Sequence, residues 1–350
     1  MALDLISNLV NLFFKDRIEE INEYRLNFSD IQNEQFFDLI REAEDTEWGK
    51  KYDLKTIHSY QDFRERIPLM SADDLRPYVE RMEHGESNLL WPGLPKKILN
   101  SFNGSRIPVS EQALTEIFLQ GINDCYAIYL QQNSDSKLFA GYFVSAGNEG
   151  EKPFLNELFT LIRENEPFLN SLFNLPKQFK KYELSGEYIE NLLNEVSTEK
   201  ISCFKGSPKS LVSFLSKAEA YKDKDGKIPF LEDYEILFHR TTRLSADIEK
   251  ERSELNLSTP VQVSYCSPEG FFGIQYEQND CSLLLMLDLS TFYEFLPIDC
   301  VDAQPVPLED INTGTDYQLV ITNCSGLWRY ASEGPGLRFV SKNPYRFLLV

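Results

Sequence analysis

Residues 265–273 read Tyr265-Cys266-Ser267-Pro268-Glu269-Gly270-Phe271-Phe272-Gly273, and they decide the fold. Just before them, Val261-Gln262-Val263-Ser264-Tyr265 predicts a buried strand. Strands of the same kind are expected over 137–146, 235–239, 283–289 and 317–322. Helices are expected over 156–172 and 187–196, and another apolar stretch, 211–220, follows the turn Gly206-Ser207-Pro208. Short apolar strands alternating with helices argue for an α/β or mixed layered fold.

Working back toward the N-terminus, the pattern becomes helical. Leu114, Ile117, Phe118, Ile122, Cys125, Ile128 and Tyr129 recur at helical spacing and predict a helix over 111–130, capped by Ser110. Ser71-Ala72-Asp73-Asp74 resembles a capping box and starts a helix over 75–82, with Pro77 near its first turn or kinking it. Residues 31–48 carry Phe36, Phe37, Ile40 and Ala43. Residues 1–14 carry Leu3, Ile6, Val10, Phe13 and Phe14, which reads as an amphipathic helix. Asp4 and the lack of a basic leading region argue against a signal peptide.

Composition narrows the function. Lys plus Arg is 35 and Asp plus Glu is 55, a net charge of −20 over 350 residues. Such a chain repels phosphate backbones and anionic membranes, so nucleic acid and membrane are excluded as expected partners. No apolar run reaches spanning length. Cys125, Cys203, Cys266, Cys281, Cys300 and Cys324 form no C-x-x-C pair and there are three His, so zinc is not expected. Scattered thiols fit a reducing cytosol, and a cytoplasmic location is expected. There is no linker rich in Pro, Gly or Ser, which favours one domain over 1–350 with residues 1–45 as a helical extension packed on it.

A set of short motifs runs in order along the chain. It begins with residues 66–82, Arg66-Ile67-Pro68-Leu69-Met70 through Arg81-Met82, and with Asn88-Leu89-Leu90-Trp91-Pro92-Gly93. Ile107-Pro108-Val109-Ser110-Glu111 and Asp135-Ser136-Lys137-Leu138-Phe139 follow. Then come Glu269-Gly270-Phe271-Phe272-Gly273, Phe292-Tyr293-Glu294-Phe295-Leu296-Pro297, Gly326-Leu327-Trp328-Arg329-Tyr330 and Asn343-Pro344-Tyr345-Arg346. Together these resemble the auxin-responsive promoter family of acyl acid amido synthetases, and bacterial homologues most of all. The resemblance implies the large N-terminal domain of an adenylate-forming enzyme, similar to acyl-CoA synthetases and luciferases. It implies mixed sheets with helices and a helical first third. Such enzymes adenylate a carboxylic acid with ATP and magnesium, then pass the acyl group to an amino acid amine.

The resemblance assigns candidate residues. A Ser/Thr- and Gly-rich phosphate loop falls on Asn100-Ser101-Phe102-Asn103-Gly104-Ser105-Arg106. Small residues there let backbone N–H groups approach phosphates. Only Ser101, Gly104, Ser105 and Arg106 match, Phe102 intrudes, and the loop is short. An ordinary Asn-Gly turn is the competing reading. The family's adenine-stacking aromatic falls on Tyr265 and its magnesium ligand on Glu269, followed by Gly270. Pro268 replaces the Ser or Thr expected before that Glu. A strand end without a ligand is the alternative. His239-Arg240-Thr241-Thr242 replaces a Gly-Gly turn. Ala331-Ser332-Glu333-Gly334-Pro335-Gly336 replaces a Gly-Asp, so Glu333 is the candidate ribose acid and a Gly-Pro-Gly turn its rival. Arg329 is the candidate cation for a ligand carboxylate, with Phe102 and Arg240 narrowing the nucleotide side.

The chain stops at Val350, where the family continues into a small lid domain, so the lid is expected to be absent. Three functions stay open. The first is a degenerate homologue, a pseudoenzyme with a small-acid or nucleotide pocket. The second is an adenylating enzyme using ATP and magnesium, completed in trans by a separate lid. The third is a non-catalytic partner of another protein, with no cofactor.

Overall fold

In the computed structural model, a 42-residue helix, Ala2–Ala43, takes up the N-terminus. The structure describes residues 2–145, 147, 149, 151–167, 171–175, 186–255, 259–277, 280–298, 300 and 303–350, with side chains from residue 14 onward except at 186 and 187. The helices predicted over 1–14 and 31–48 are joined through this element, which leaves helical geometry at Asn27 (φ −117°, ψ 19°). Of the apolar face predicted near the start, Phe14 is buried and its ring lies 5.9 Å from Phe139. Leu3, Ile6, Val10 and Phe13 fall outside the described side chains.

The chain groups into two compact units. The first comprises Met1–Asn22, Ile122–Tyr265 and Ile274–Leu283. The second comprises Glu23–Gly121, Cys266–Gly273 and Leu284–Val350. Two of the boundaries fall inside helices, Ala2–Ala43 and Gln120–Gln132, so no linker composition marks them.

The first unit is built on parallel strands in the order Asn174–Leu175, Tyr142–Ser145, Ile201–Lys205, Ile236–Thr241 and Val261–Ser267. Helices Pro153–Glu164, Gly186–Val196, Pro208–Ala218 and Ser245–Glu254 supply the crossovers. Parallel strands need such crossovers and end up buried on both faces. Every residue of 201–205 and 236–241 is buried accordingly. The strand predicted over 137–146 begins instead with a 3-10 turn, Leu138–Ala140, and Ala146 lies outside the described residues. The helix predicted over 156–172 starts three residues earlier, and 168–170 are likewise outside. Tyr126 anchors this unit's core, with its ring 5.8, 5.5 and 5.2 Å from Phe139, Phe143 and Phe238.

The second unit has an antiparallel sheet. Val306–Pro307 pairs with Thr291–Pro297, which pairs with Asp316–Asn323. Next come Leu337–Lys342 and Tyr345–Leu349, and Leu327–Ala331 also pairs with Asp316–Asn323. Phe295, Tyr317 and Phe339 pack edge to face between its strands. Helix Ala72–Glu83 has the predicted capping box between Ser71 and Asp74 and runs through Pro77. The helix predicted over 111–130 contains a π segment, Leu114–Leu119, between α segments Glu111–Ala113 and Gln120–Gln132. A hairpin of Lys97–Asn100 and Arg106–Val109 was not legible as strands, because each is four residues long.

One glycine of the second unit is fixed by its surroundings. Gly326 has φ +84°, and a Cβ there would stand 2.7 Å from the Cβ of Leu90. Gly326→Ala is expected to cost about 2 kcal/mol, from left-handed strain plus overpacking. Urea unfolding would measure it, and a midpoint unchanged from wild type would refute the reading.

Candidate functional site

Among the candidate residues of the second unit, Ser101 meets a buried carboxylate, that of Glu269. Glu269 sits in the turn before strand Gly270–Gln275 and is 1% exposed. Its Oε1 accepts from Ser101 Oγ at 3.2 Å. Its Oε2 accepts from Ser332 Oγ at 2.5 Å and from Ser267 Oγ at 3.4 Å. Asn323 Nδ2 donates to the Glu269 carbonyl at 2.8 Å. Glu333 accepts a hydrogen bond from Ser105. Burial pushes the Glu269 carboxyl up from 4.5 to about 7; the serine hydroxyls pull it down, and the nearby Glu333 charge pushes it up further. Burial, with the Glu269 and Glu333 charges, also raises the Tyr330 phenol strongly.

Ser101, Gly104 and Ser105 lie in the turn of the 97–109 hairpin. Asn103 (φ +53°) and Gly104 (φ +80°) shape it, and Phe102–Gly104 forms a 3-10 turn. Three of its N–H groups are spent within the turn. Ser101 N donates to Ser105 O at 2.7 Å, Gly104 N to Ser101 O at 3.4 Å, and Ser105 N to Phe102 O at 2.9 Å. This is the Asn-Gly turn that competed with a phosphate cradle. Phe102 is half-buried, and Arg106 is exposed and ion-paired with Glu83. The outer face of the turn lines a cavity of about 290 Å³, which Arg76, Val79, Glu80, Glu83 and Arg106 also line.

Arg329 was expected to meet a ligand carboxylate, and it meets one of the chain's own. Its Nε and Nη2 donate to Glu294 Oε2 and Oε1, both at 2.8 Å. Nη1 donates to the carbonyls of Arg64 (3.1 Å) and Ile67 (2.8 Å). Tyr60 Oη adds a third donor to Glu294 at 2.8 Å. Arg329 has a left-handed backbone (φ +45°) and is 5% exposed.

Two candidates belong to the first unit. Tyr265 is 0% exposed, so neither face of its ring is open to solvent. Arg240 is buried with its guanidinium 5.1 Å above the Phe159 ring, a cation–π contact within the core. Gly270 keeps clear of the Phe272 ring, which a Cβ would approach to 2.6 Å. Sequence reading missed Ser267, Ser332 and Asn323. All three sit within the quoted motifs or beside them, but their roles appear only once Glu269 is placed.

Magnesium and a nucleotide fit these residues poorly as they stand. Both Glu269 oxygens accept hydroxyls, and the Ser101, Gly104 and Ser105 N–H groups are bonded within the turn. Among the described residues no group of three His, Cys, Asp or Glu is placed to hold a metal.

The GH3 family N-terminal domain matches residues 17–195, and the GH3 family central domain matches 284–340. The chain belongs to the GH3 family. Its curated relatives include a probable indole-3-acetic acid-amido synthetase, GH3.1, of Oryza sativa subsp. japonica. That protein is 35% identical over 77 residues, which are 19% of this chain and 12% of the relative. Indole-3-acetic acid-amido synthetase GH3.3 of Arabidopsis thaliana is 25% identical over 75 residues, 21% and 13% of the two chains. The matched segments thus cover a small part of those proteins. Among solved structures, AtGH3.15 acyl acid amido synthetase in complex with 2,4-DB superposes with a TM-score of 0.73 at 16% identity. The match covers 96% of this chain and 70% of that one. 2-Hydroxyisobutyryl-CoA ligase in complex with 2-HIB-AMP and CoA gives 0.50 at 14%, covering 95% and 67%. At these identities the GH3 chain shares a fold with both, the mixed α/β architecture of adenylate-forming enzymes that its motifs implied. No described helix is long and apolar enough to cross a membrane.

Proposed function

We propose that this GH3 chain is a homologue of acyl acid amido synthetases in which adenylation is degenerate, and that it keeps at most a pocket for a small acid. The closed environment of Glu269 carries the reading. A carboxylate that accepts three hydroxyls and is 1% exposed leaves no open oxygen for a hard cation. The hairpin turn, with the N–H groups of Ser101, Gly104 and Ser105 bonded to its own carbonyls, supports the same conclusion. Glu333, the candidate ribose acid, accepts a hydrogen bond from Ser105. The cavity beside Arg76 and Arg106 is at the small end of ligand pockets, and its size suits a small carboxylate better than a triphosphate.

Titration calorimetry with ATP and magnesium tests the proposal. The expected dissociation constant is no tighter than roughly 1 mM, about −4 kcal/mol. A magnesium-dependent micromolar affinity would sink it. So would robust exchange of labelled pyrophosphate into ATP driven by any acid in a carboxylic acid panel, the result expected of an active enzyme completed by a separate lid.

A further inference from the structure

Three aromatic side chains of the second unit surround one ammonium. Trp48 and Tyr52 come from helix Glu47–Lys51 and its C-cap, and Tyr78 from helix Ala72–Glu83. Lys51 Nζ stands 5.2 Å from the Trp48 ring centroid and 5.0 Å from that of Tyr52, and it donates to Tyr78 Oη at 3.4 Å. The Trp48 ring is tilted 49° to Tyr52 at 4.4 Å and 78° to Tyr78 at 5.7 Å, so the rings stand as walls and not as a stack. Arg81 ties the two helices together, donating to both oxygens of Glu47 at 2.8 and 2.7 Å. Burial pulls the pKa of the Lys51 ammonium down, and hydrogen bonds to Tyr78 and Tyr52 outweigh it, so the group lies above its ordinary value. Trp48 is 3% exposed, whereas Lys51 is exposed and enters the cage on a flexible stem.

The face of an aromatic ring is electron-rich and attracts a cation, so a cage of such faces prefers an ammonium to a neutral group of the same shape. We infer that Trp48, Tyr52 and Tyr78 form a binding site for a small organic ammonium, which Lys51 occupies as an internal stand-in. The site is separate from Glu269 and goes beyond the acid pocket proposed above. An exposed cation–π contact is weak, so a free alkylammonium can displace the lysine side chain into water. A quaternary ammonium gains further on this competitor, because the lysine ammonium is strongly hydrated and a methylated one presents apolar groups to the rings.

Titration of the full chain with tetramethylammonium chloride, followed by the indole N–H resonance of Trp48, tests the site. That N–H is buried with no acceptor among the described residues, and its signal is identified by its loss in Trp48→Phe. Lys51→Ala, which empties the cage, is expected to bind with a dissociation constant of roughly 10 mM, and wild type about threefold more weakly. Lys51→Arg keeps a cation in place and should behave as wild type. Tyr52→Leu added to Lys51→Ala removes one wall and should weaken binding at least threefold. Sodium chloride at equal ionic strength should leave the resonance unmoved, which separates the cage from the general attraction of a −20 chain for cations. Neopentyl alcohol, uncharged and of nearly the same shape, should leave it unmoved too. No saturable shift in Lys51→Ala, an equal shift with sodium chloride or neopentyl alcohol, or wild type binding as tightly as Lys51→Ala each overturns the inference.

Discussion

Arg329→Met is expected to lower the unfolding free energy by about 3–5 kcal/mol. The reason is the partner left behind. Glu294 is 1% exposed, and Arg329 binds both of its oxygens at 2.8 Å, with Tyr60 as the remaining donor. Met fills a similar volume but leaves a buried carboxylate without its cation. The Arg64 and Ile67 carbonyls lose a donor as well. A second variant separates this from loss of packing. Arg329→Met combined with Glu294→Leu removes both charges and should regain a large share of the loss, because an apolar replacement of a buried ion pair is often near neutral. Chemical denaturation of the two variants measures the coupling. A single variant within 1 kcal/mol of wild type, or a double variant no more stable than the single, would contradict the clamp.

Glu269 should couple stability to pH over a range where ordinary carboxylates are already ionised. Its carboxyl is pushed up from 4.5 to about 7 in the folded chain, chiefly by burial. A raised folded value means that the native state holds a proton which the unfolded chain releases. The contribution is therefore fully present below about pH 4.5 and declines as pH rises toward 7. The whole shift corresponds to about 3 kcal/mol. Glu269→Gln keeps the shape and removes the titration. The stability of wild type minus that of the variant should therefore fall by about this amount between pH 4.5 and 7, then level off. A flat difference curve from urea unfolding at matched pH values would show that the group titrates normally.

Much of the architecture could be read from the sequence, because it is written in local signals. Val261-Gln262-Val263 and Tyr317 to Thr322 carry enough β-branched and aromatic side chains to read as strands, and the Ser71/Asp74 box marks its helix start. Ile201–Lys205 did not read as a strand, because Ser202 and Lys205 interrupt its apolar run. Lys205 is tolerated there because it donates to Asn174 at 2.7 Å and lies over the Phe143 ring. Such partners are supplied from across the sheet and have no local signature. The π segment Leu114–Leu119 stayed hidden for a related reason, since it changes hydrogen-bond register without changing apolar spacing enough to be seen.

For the site, the sequence by itself determined the family, the order of its motifs and the departures at Phe102, Pro268 and Glu333. Those are properties of residue identity and position. Only the tertiary structure decided what the surviving groups touch. Arg329 reads as a ligand cation until Glu294 is found opposite it, and Tyr265 reads as a stacking platform, though neither face of its ring is open to solvent. Glu269 reads as an open metal ligand until Ser101 and Ser332 are found donating to it. The charge and hydrogen-bonding state of a side chain depend on burial and on neighbours brought from 35 to 168 residues away, and no local pattern encodes those distances.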